Sequence, residues 1–201
     1  MRGGLPRGLY GIADAGFGDP VALGVALAEA GVATVQIRAK GWSEDDLLVA
    51  SRELLPALRA RGALLIVNDS LEVAARVGAD GLHLGQDDPP HDLAEARATL
   101  PPGALIGRST HSLEQLRAAQ DADYLGFGPI FATGTKVGAL PPRGTELLAQ
   151  AVAASARPLV AIGGIDLTGL PAVRATGVWG WAVISAILRA PDLAAAVAQM
   201  R

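Results

Sequence analysis

The sequence predicts a single parallel-stranded α/β domain spanning residues 1–201, closed as a (β/α)8 TIM barrel. Three observations predict it. Short apolar runs alternate with amphipathic segments along the whole chain, eight times. Most runs lack period-two alternation, as strands covered on both faces do. No stretch between them has the composition of an interdomain linker. A doubly wound open sheet would share the alternation. However, no Gly-x-Gly-x-x-Gly fingerprint follows the first apolar run, so closure is the better reading.

The predicted strands are residues 9–12, 33–37, 64–67, 81–84, 105–106, 124–126, 159–162 and 181–184. The segments between them carry helix signals. Across residues 43–61, Leu47, Leu48, Leu54, Leu55 and Leu58 fall on one stripe, and Ser43 with Asp46 forms a capping pair. Ser112 to Gln115 is a second capping box, before Leu116. Gly31, Gly78 and Gly177 each stand between a helical pattern and the next apolar run, where a helix-ending glycine is expected.

Composition narrows the function. Half of the residues are hydrophobic and 18% are charged, enough to bury a large core. The formal net charge is −3 with no block of like charge, which argues against nucleic acid or an anionic membrane as partner. There is no cysteine, so disulfides, thiolate nucleophiles and thiolate metal sites are excluded. Residues 1–6 do not resemble a signal peptide, and the uncharged run 175–188 is too short to span a bilayer. A cytoplasmic protein is expected. An apolar helix face can pack on the barrel or on a second copy, so a homo-oligomer is compatible with the sequence.

Function on such a barrel collects at the C-terminal strand ends, and those ends are polar here. The second strand runs into Gln36-Ile37-Arg38-Ala39-Lys40, and the third into Asn68-Asp69. Gly85-Gln86-Asp87-Asp88 follow the fourth, and Arg108-Ser109-Thr110-His111 the fifth. The loop after the sixth holds Thr133-Gly134-Thr135-Lys136. The seventh leads into Gly163-Gly164, and the eighth into Ile184-Ser185. Arg38, Lys40 and Lys136 are cations reaching one mouth from two sides, as polyanion binding requires. Asp69 and Asp88, with pyrophosphate oxygens, suffice to hold a hard cation such as Mg²⁺. Gly163, Gly164 and Ser185 lie where barrels bind a phosphate through backbone N–H groups. Gly134 and Gly138 give the sixth loop the freedom of a lid.

Each residue also has a plainer reading. Asp69 can simply cap a helix, Gly163-Gly164 can be only a tight turn, and Arg38 can be a structural ion pair. Lys136 alone would read as a solvated surface charge. His83 reads as a packed, hydrogen-bonded strand residue and His91 as an exposed helix start, while His111 can face the mouth as an acid or base. Convergence on one barrel end favours a site with two anion-binding halves.

The ordered set of motifs resembles thiamine phosphate synthase. The matching pieces are residues 36–40, 68–69, Gly81-Leu82-His83-Leu84-Gly85-Gln86-Asp87-Asp88, Gly107 to His111, Gly128-Pro129-Ile130-Phe131 with residues 132–136, Ala161 to Ile165, and Ala182 to Ser185. The resemblance implies a transferase that condenses hydroxymethylpyrimidine pyrophosphate with thiazole phosphate, giving thiamine phosphate and pyrophosphate. It implies that Gln36, Ile37, Arg38, Ala39, Lys40, Asn68, Ser109 and Lys136 hold the pyrimidine or its pyrophosphate, and that Asp69 and Asp88 bind Mg²⁺. It places Thr133, Gly134, Thr135, Gly164, Ile184 and Ser185 at the thiazole phosphate. Arg38, Lys40, Ser109 and Lys136 would be the catalytic members, helping pyrophosphate leave so that the thiazole nitrogen captures a pyrimidine-methyl cation. No protein nucleophile is needed for that chemistry.

The related thiazole tautomerase is the main alternative. Residues 107–114 and Arg143-Gly144 resemble that branch, with His111 as its acid/base. A non-catalytic thiamine-precursor binding protein is a third reading, against which the retained carboxylates and cations argue. Arg108, Trp179 and Trp181 depart from the usual synthase pattern, which leaves the fine shape of the pocket open more than the chemistry.

Overall fold

Eight parallel strands follow one another around a closed ring in chain order, the last returning to pair with the first. The structure, a computed structural model, describes residues 4–86, 93–135 and 140–201. The strands are β1 (Gly8–Asp14), β2 (Thr34–Arg38), β3 (Leu64–Asn68), β4 (Gly81–Leu84), β5 (Leu105–Thr110), β6 (Tyr124–Phe127), β7 (Leu159–Ile162) and β8 (Gly180–Val183). Between and after them come α1 (Pro20–Glu29), α2 (Glu44–Arg59), α3 (Leu71–Val77), α4 (Leu93–Thr99), α5 (Leu113–Ala118), α6 (Gly144–Ala154), α7 (Leu170–Ala175), α8 (Ser185–Leu188) and α9 (Leu193–Met200). No helix among the described residues is long and apolar enough to cross a membrane.

The helix signals work as local chemistry predicts. Ser43 accepts from the Asp46 N–H at 3.1 Å and opens α2, whose first turn carries Glu44, Asp45 and Asp46 against the positive end of the dipole. Ser112 accepts from the Gln115 N–H and opens α5. At the start of α3 the cap is Ser70, not Asp69: the serine hydroxyl accepts from Val73 N–H at 3.1 Å. Asp69 instead has φ +65°, a left-handed conformation uncommon for a residue with a side chain.

Alternation along the strands separates two cores. Val35, Ile37, Leu65, Val67, Leu82, Leu84, Ile106 and Leu125 face outward into a layer shared with the helices. Tyr10, Ile12, Ile66, Tyr124, Val160 and Ala182 fill the barrel interior, with Leu5 packed among them. One expectation changes here. β5 continues to Thr110, four residues beyond the apolar pair that signals it, so Arg108, Ser109 and Thr110 lie in the strand. Pairing of Arg108 with Leu84 and Leu125, and of Thr110 with Phe127, carries the ladder onward without an apolar sequence. Trp179 and Trp181 lie away from the pocket. Their indole N–H groups donate to the Leu5 and Met200 carbonyls at 3.0 and 2.8 Å, on the outer side of the start of β8.

Candidate active site

At the C-terminal mouth of the ring the strand ends enclose a cavity of about 360 Å³. Period-two alternation decides which predicted residues reach it. Gln36, Arg38 and Lys40 line it, whereas Ile37 is wholly buried in the outer core and Ala39 packs against that layer. Asn68 and Asp69 come from the end of β3, and Ser109 from β5. Thr133, Thr135, Gly164, Ile184 and Ser185 complete the opposite wall, while Gly134 points clear of it with no atom near its α-carbon substituent position. Arg108, next to Ser109 on the strand, is buried and turned to the other face of β5. Asp88, Lys136, His91 and Gly138 lie outside the described residues.

One wall is charged. Arg38 forms an ion pair with Asp14, which ends β1 and is 5% exposed. The other carboxylate oxygen of Asp14 accepts from the Gly16 N–H at 2.8 Å, so the carboxylate is held from both sides. Arg38 is therefore both the structural ion pair and a cavity-lining cation. Beside it Lys40, 56% exposed at its side chain, pairs with Asp69. The unusual backbone of Asp69 sits at this contact, and its amide donates to the His83 carbonyl at 2.8 Å. Asp14, the partner of this cavity-lining cation, is a residue the motif reading passed over. A lone carboxylate closing the apolar run Gly8–Asp14 at a C-terminal strand end was the available signal.

The opposite wall is built from backbone and hydroxyls. Gly163 and Gly164 have φ of +98° and +66°, and a β-carbon on either would sit 2.4 Å from Pro129 Cβ or the Ala132 carbonyl oxygen, respectively. Only glycine permits both the conformation and the close approach of the β6 loop. The Phe131 N–H donates to the Gly163 carbonyl at 2.9 Å, locking that loop to the end of β7. The Thr135 hydroxyl donates to Ser185 Oγ at 3.4 Å, and the Thr135 N–H to Thr133 Oγ1 at 3.2 Å.

Beneath the cavity runs a polar chain. The Gln36 amide donates to Tyr10 Oη at 3.0 Å, and the Tyr10 and Tyr124 hydroxyls share a bond of 3.0 Å. The Tyr124 hydroxyl is 3.1 Å from His83 Nδ1, and His83 Nε2 is 3.0 Å from Ser109 Oγ. Thus His83 is packed and hydrogen-bonded, as its strand position suggests, and it also lines the cavity. Burial pushes both phenols above their ordinary value of about 10, with the neighbouring phenol raising Tyr124 further. Both are protonated donors across the physiological range. His111 also lines the cavity, with Nδ1–H donating to the Gly128 carbonyl at 2.6 Å. A carbonyl can only accept, so in the neutral imidazole the proton is on Nδ1 and the lone pair on Nε2.

Among the described residues no three His, Cys, Asp or Glu side chains gather into a protein-only metal cage. Asp69 supplies a hard oxygen donor beside cations, which is the donor type Mg²⁺ takes when phosphate oxygens and water fill its remaining positions.

The family model described as thiamine monophosphate synthase matches residues 9–187. A thiamine-phosphate synthase of Anaeromyxobacter dehalogenans (strain 2CP-C) is 45% identical over 196 residues, covering 96% of this chain and 86% of the relative. One from Laribacter hongkongensis (strain HLHK9) is 47% identical over 171 residues, 85% of this chain and 80% of that one. Among solved structures, a thiamine phosphate pyrophosphorylase from Pyrococcus furiosus superimposes with a TM-score of 0.87 at 34% identity, covering 96% of this chain and 93% of the other. The chain belongs to the thiamine monophosphate synthase family.

Proposed function

We propose that this chain is a thiamine-phosphate synthase, a transferase that joins a pyrimidine-methyl group to a thiazole phosphate in the mouth of its barrel. The observation that carries the reading is the division of one cavity into a cationic wall and a wall of glycine backbone and hydroxyls. Hydroxymethylpyrimidine pyrophosphate lies along the first, with its ring over Gln36 and Ser109 and its pyrophosphate toward Arg38, Lys40 and Asn68; the family resemblance adds Lys136 as a further cation for it. The thiazole phosphate lies along the second, against Thr133, Thr135, Gly164, Ile184 and Ser185.

In the reaction the C–O bond between the pyrimidine methylene and pyrophosphate breaks. Its electron pair leaves with pyrophosphate, and the thiazole nitrogen donates the pair that forms the new C–N bond. Arg38 and Lys40 match charge that grows on the leaving oxygens, so they act most strongly in the transition state. Asp14 holds Arg38 in the cavity wall, and Asp69 does the same for Lys40. Asp69 and Asp88 would hold Mg²⁺, which when bound neutralises pyrophosphate charge. No side chain must act as nucleophile or general base.

The tautomerase alternative would assign proton transfer to His111. Its Nε2 lone pair permits that chemistry, but the relatives named above are synthases, and a tautomerase has no use for the paired cations beside Asp69. Turnover with both substrates, each alone, and both without Mg²⁺ tests the assignment. Thiamine phosphate and pyrophosphate should form in equal amounts only in the complete mixture. Rearrangement of a thiazole carboxylate phosphate with no coupling product would reassign the chain to the tautomerase branch.

A further inference from the structure

We infer that Tyr10, Tyr124 and His83 are positioning residues: they form a directional hydrogen-bond relay that fixes how Gln36 and Ser109 present donors and acceptors to the ring of the pyrophosphorylated substrate. The inference rests on the proposed function for the identity of that ring. Gln36 and Ser109 stand on β2 and β5, yet they are joined through the barrel interior by two buried tyrosines and the half-buried His83.

The direction follows from proton counting. Gln36 Nε2–H donates to Tyr10, so the Tyr10 proton goes on to Tyr124, and the Tyr124 proton to His83 Nδ1. His83 then carries its proton on Nε2 and donates to Ser109 Oγ, which frees the serine proton for the cavity. If His83 donated from Nδ1 instead, Tyr124 would have to donate back to Tyr10. Tyr10 would then accept twice, from Gln36 and Tyr124, with its own proton unmatched in a 4% exposed position. Turning the Gln36 amide over is the one change that relieves this, and it reverses every bond in the chain. With a neutral His83 imidazole the relay thus has two states, and each end reports the other. In the assigned state Gln36 keeps a carbonyl acceptor beside a remaining N–H donor, matching an amino group next to a ring nitrogen. Ser109 donates to a second ring acceptor.

The sequence makes room for the relay. Gly107 is in register with both His83 and Tyr124, and a β-carbon there would lie 2.1 Å from Tyr124 Cζ and 2.5 Å from His83 Nδ1. The tyrosine and histidine rings stand 5.5 Å apart, and the two tyrosine rings 6.0 Å. Neither phenol ionises near neutral pH, because burial keeps both protonated.

Two measurements test it. Long-range ¹H–¹⁵N correlation spectra of the wild-type protein should show His83 protonated on Nε2 and bare on Nδ1, with its signals assigned by loss in His83→Asn. The opposite tautomer, or a rapidly exchanging mixture, overturns the assigned direction. Kinetically, Tyr124→Phe and Tyr10→Phe should each raise KM for the pyrimidine pyrophosphate about tenfold while KM for the thiazole phosphate stays within about twofold. In Tyr124→Phe the His83 tautomer should also become mixed. Unchanged pyrimidine KM, or equal rises for both substrates, overturns the positioning role. If Tyr124→Phe does not fold, Tyr10→Phe and the wild-type spectra decide. A wild-type protein that makes no thiamine phosphate would instead defeat the proposed function and leave the tautomer result standing.

Discussion

Replacing Gly164 by alanine tests the hydroxyl-and-backbone wall with a magnitude that the geometry supplies. Its φ of +66° is left-handed, which costs an L-residue about 1–2 kcal/mol. The new β-carbon would stand 2.4 Å from the Ala132 carbonyl oxygen and 2.8 Å from Phe131 Cβ, both fixed to the β6 loop rather than at the end of a flexible side chain. Relieving such overlap adds about 1–3 kcal/mol. Together these give a loss of about 2–5 kcal/mol, or a fall in Tm of about 6–15 °C at about 3 °C per kcal/mol for a domain of this size. The relief must push residues 131–132 outward, carrying Thr133 and Thr135 with them. KM for the thiazole phosphate should therefore rise at least about tenfold, with a smaller change for the pyrimidine substrate. Gly134→Ala is the control, since nothing lies within 4 Å of a β-carbon there, and its Tm should move by no more than about 2 °C. Thermal melts and initial rates with each substrate varied in turn give both quantities. A Gly164→Ala protein with wild-type Tm and wild-type thiazole KM would refute the close packing and the role of this wall.

The other predictions concern charge and protonation. Asp14→Asn keeps the shape but removes the charged partner of Arg38, and should lower kcat/KM for the pyrimidine pyrophosphate about tenfold with a stability loss of about 1–3 kcal/mol; an unchanged rate would remove Asp14 from the site. Asp88→Ala should cost far more rate than His111→Ala under the synthase assignment, and initial rates giving the reverse ranking would favour the tautomerase. The chain has only two tyrosines, Tyr10 and Tyr124, and both phenols are raised by burial. The folded state thus keeps protons that the unfolded state releases, so stability is intact below about pH 10 and declines as pH rises above it. Tyrosinate absorbance should stay absent in the folded protein at pH 10 and appear together with loss of helical circular dichroism. A phenolate transition centred near 10 in the folded protein would contradict the buried relay.

Much of the barrel was legible in the sequence because strands covered on both faces must be apolar throughout. The eight runs therefore mark the eight strands within a few residues. β5 was the exception. Its last residues, Arg108, Ser109 and Thr110, are polar because they approach the mouth, and the ladder holds them in strand geometry regardless. The same cause blurred the site. Matching residues 36–40 as a block places Ile37 and Ala39 with Gln36, Arg38 and Lys40, while alternation turns those two into the outer core. Tyr10 and Tyr124 look like ordinary core aromatics, because nothing in a single strand reveals that their hydroxyls meet across the ring. The effect of Trp179 and Trp181 on the pocket was not legible, because it depends on their place along the last strand: Trp179 precedes β8 and Trp181 lies at its start, at the end of the barrel away from the mouth. The ion pairs of Arg38 with Asp14 and Lys40 with Asp69 needed the ring to bring β1, β2 and β3 together.

The division of the cavity into two anion-binding walls is tested most directly by a crystal structure of the protein with Mg²⁺, pyrophosphate and thiazole phosphate. Pyrophosphate should lie against Arg38, Lys40 and Asn68, with the thiazole phosphate group against Gly164, Thr135 and Ser185. Both anions on one wall, or the thiazole phosphate bound away from Gly164 and Ser185, would contradict the account.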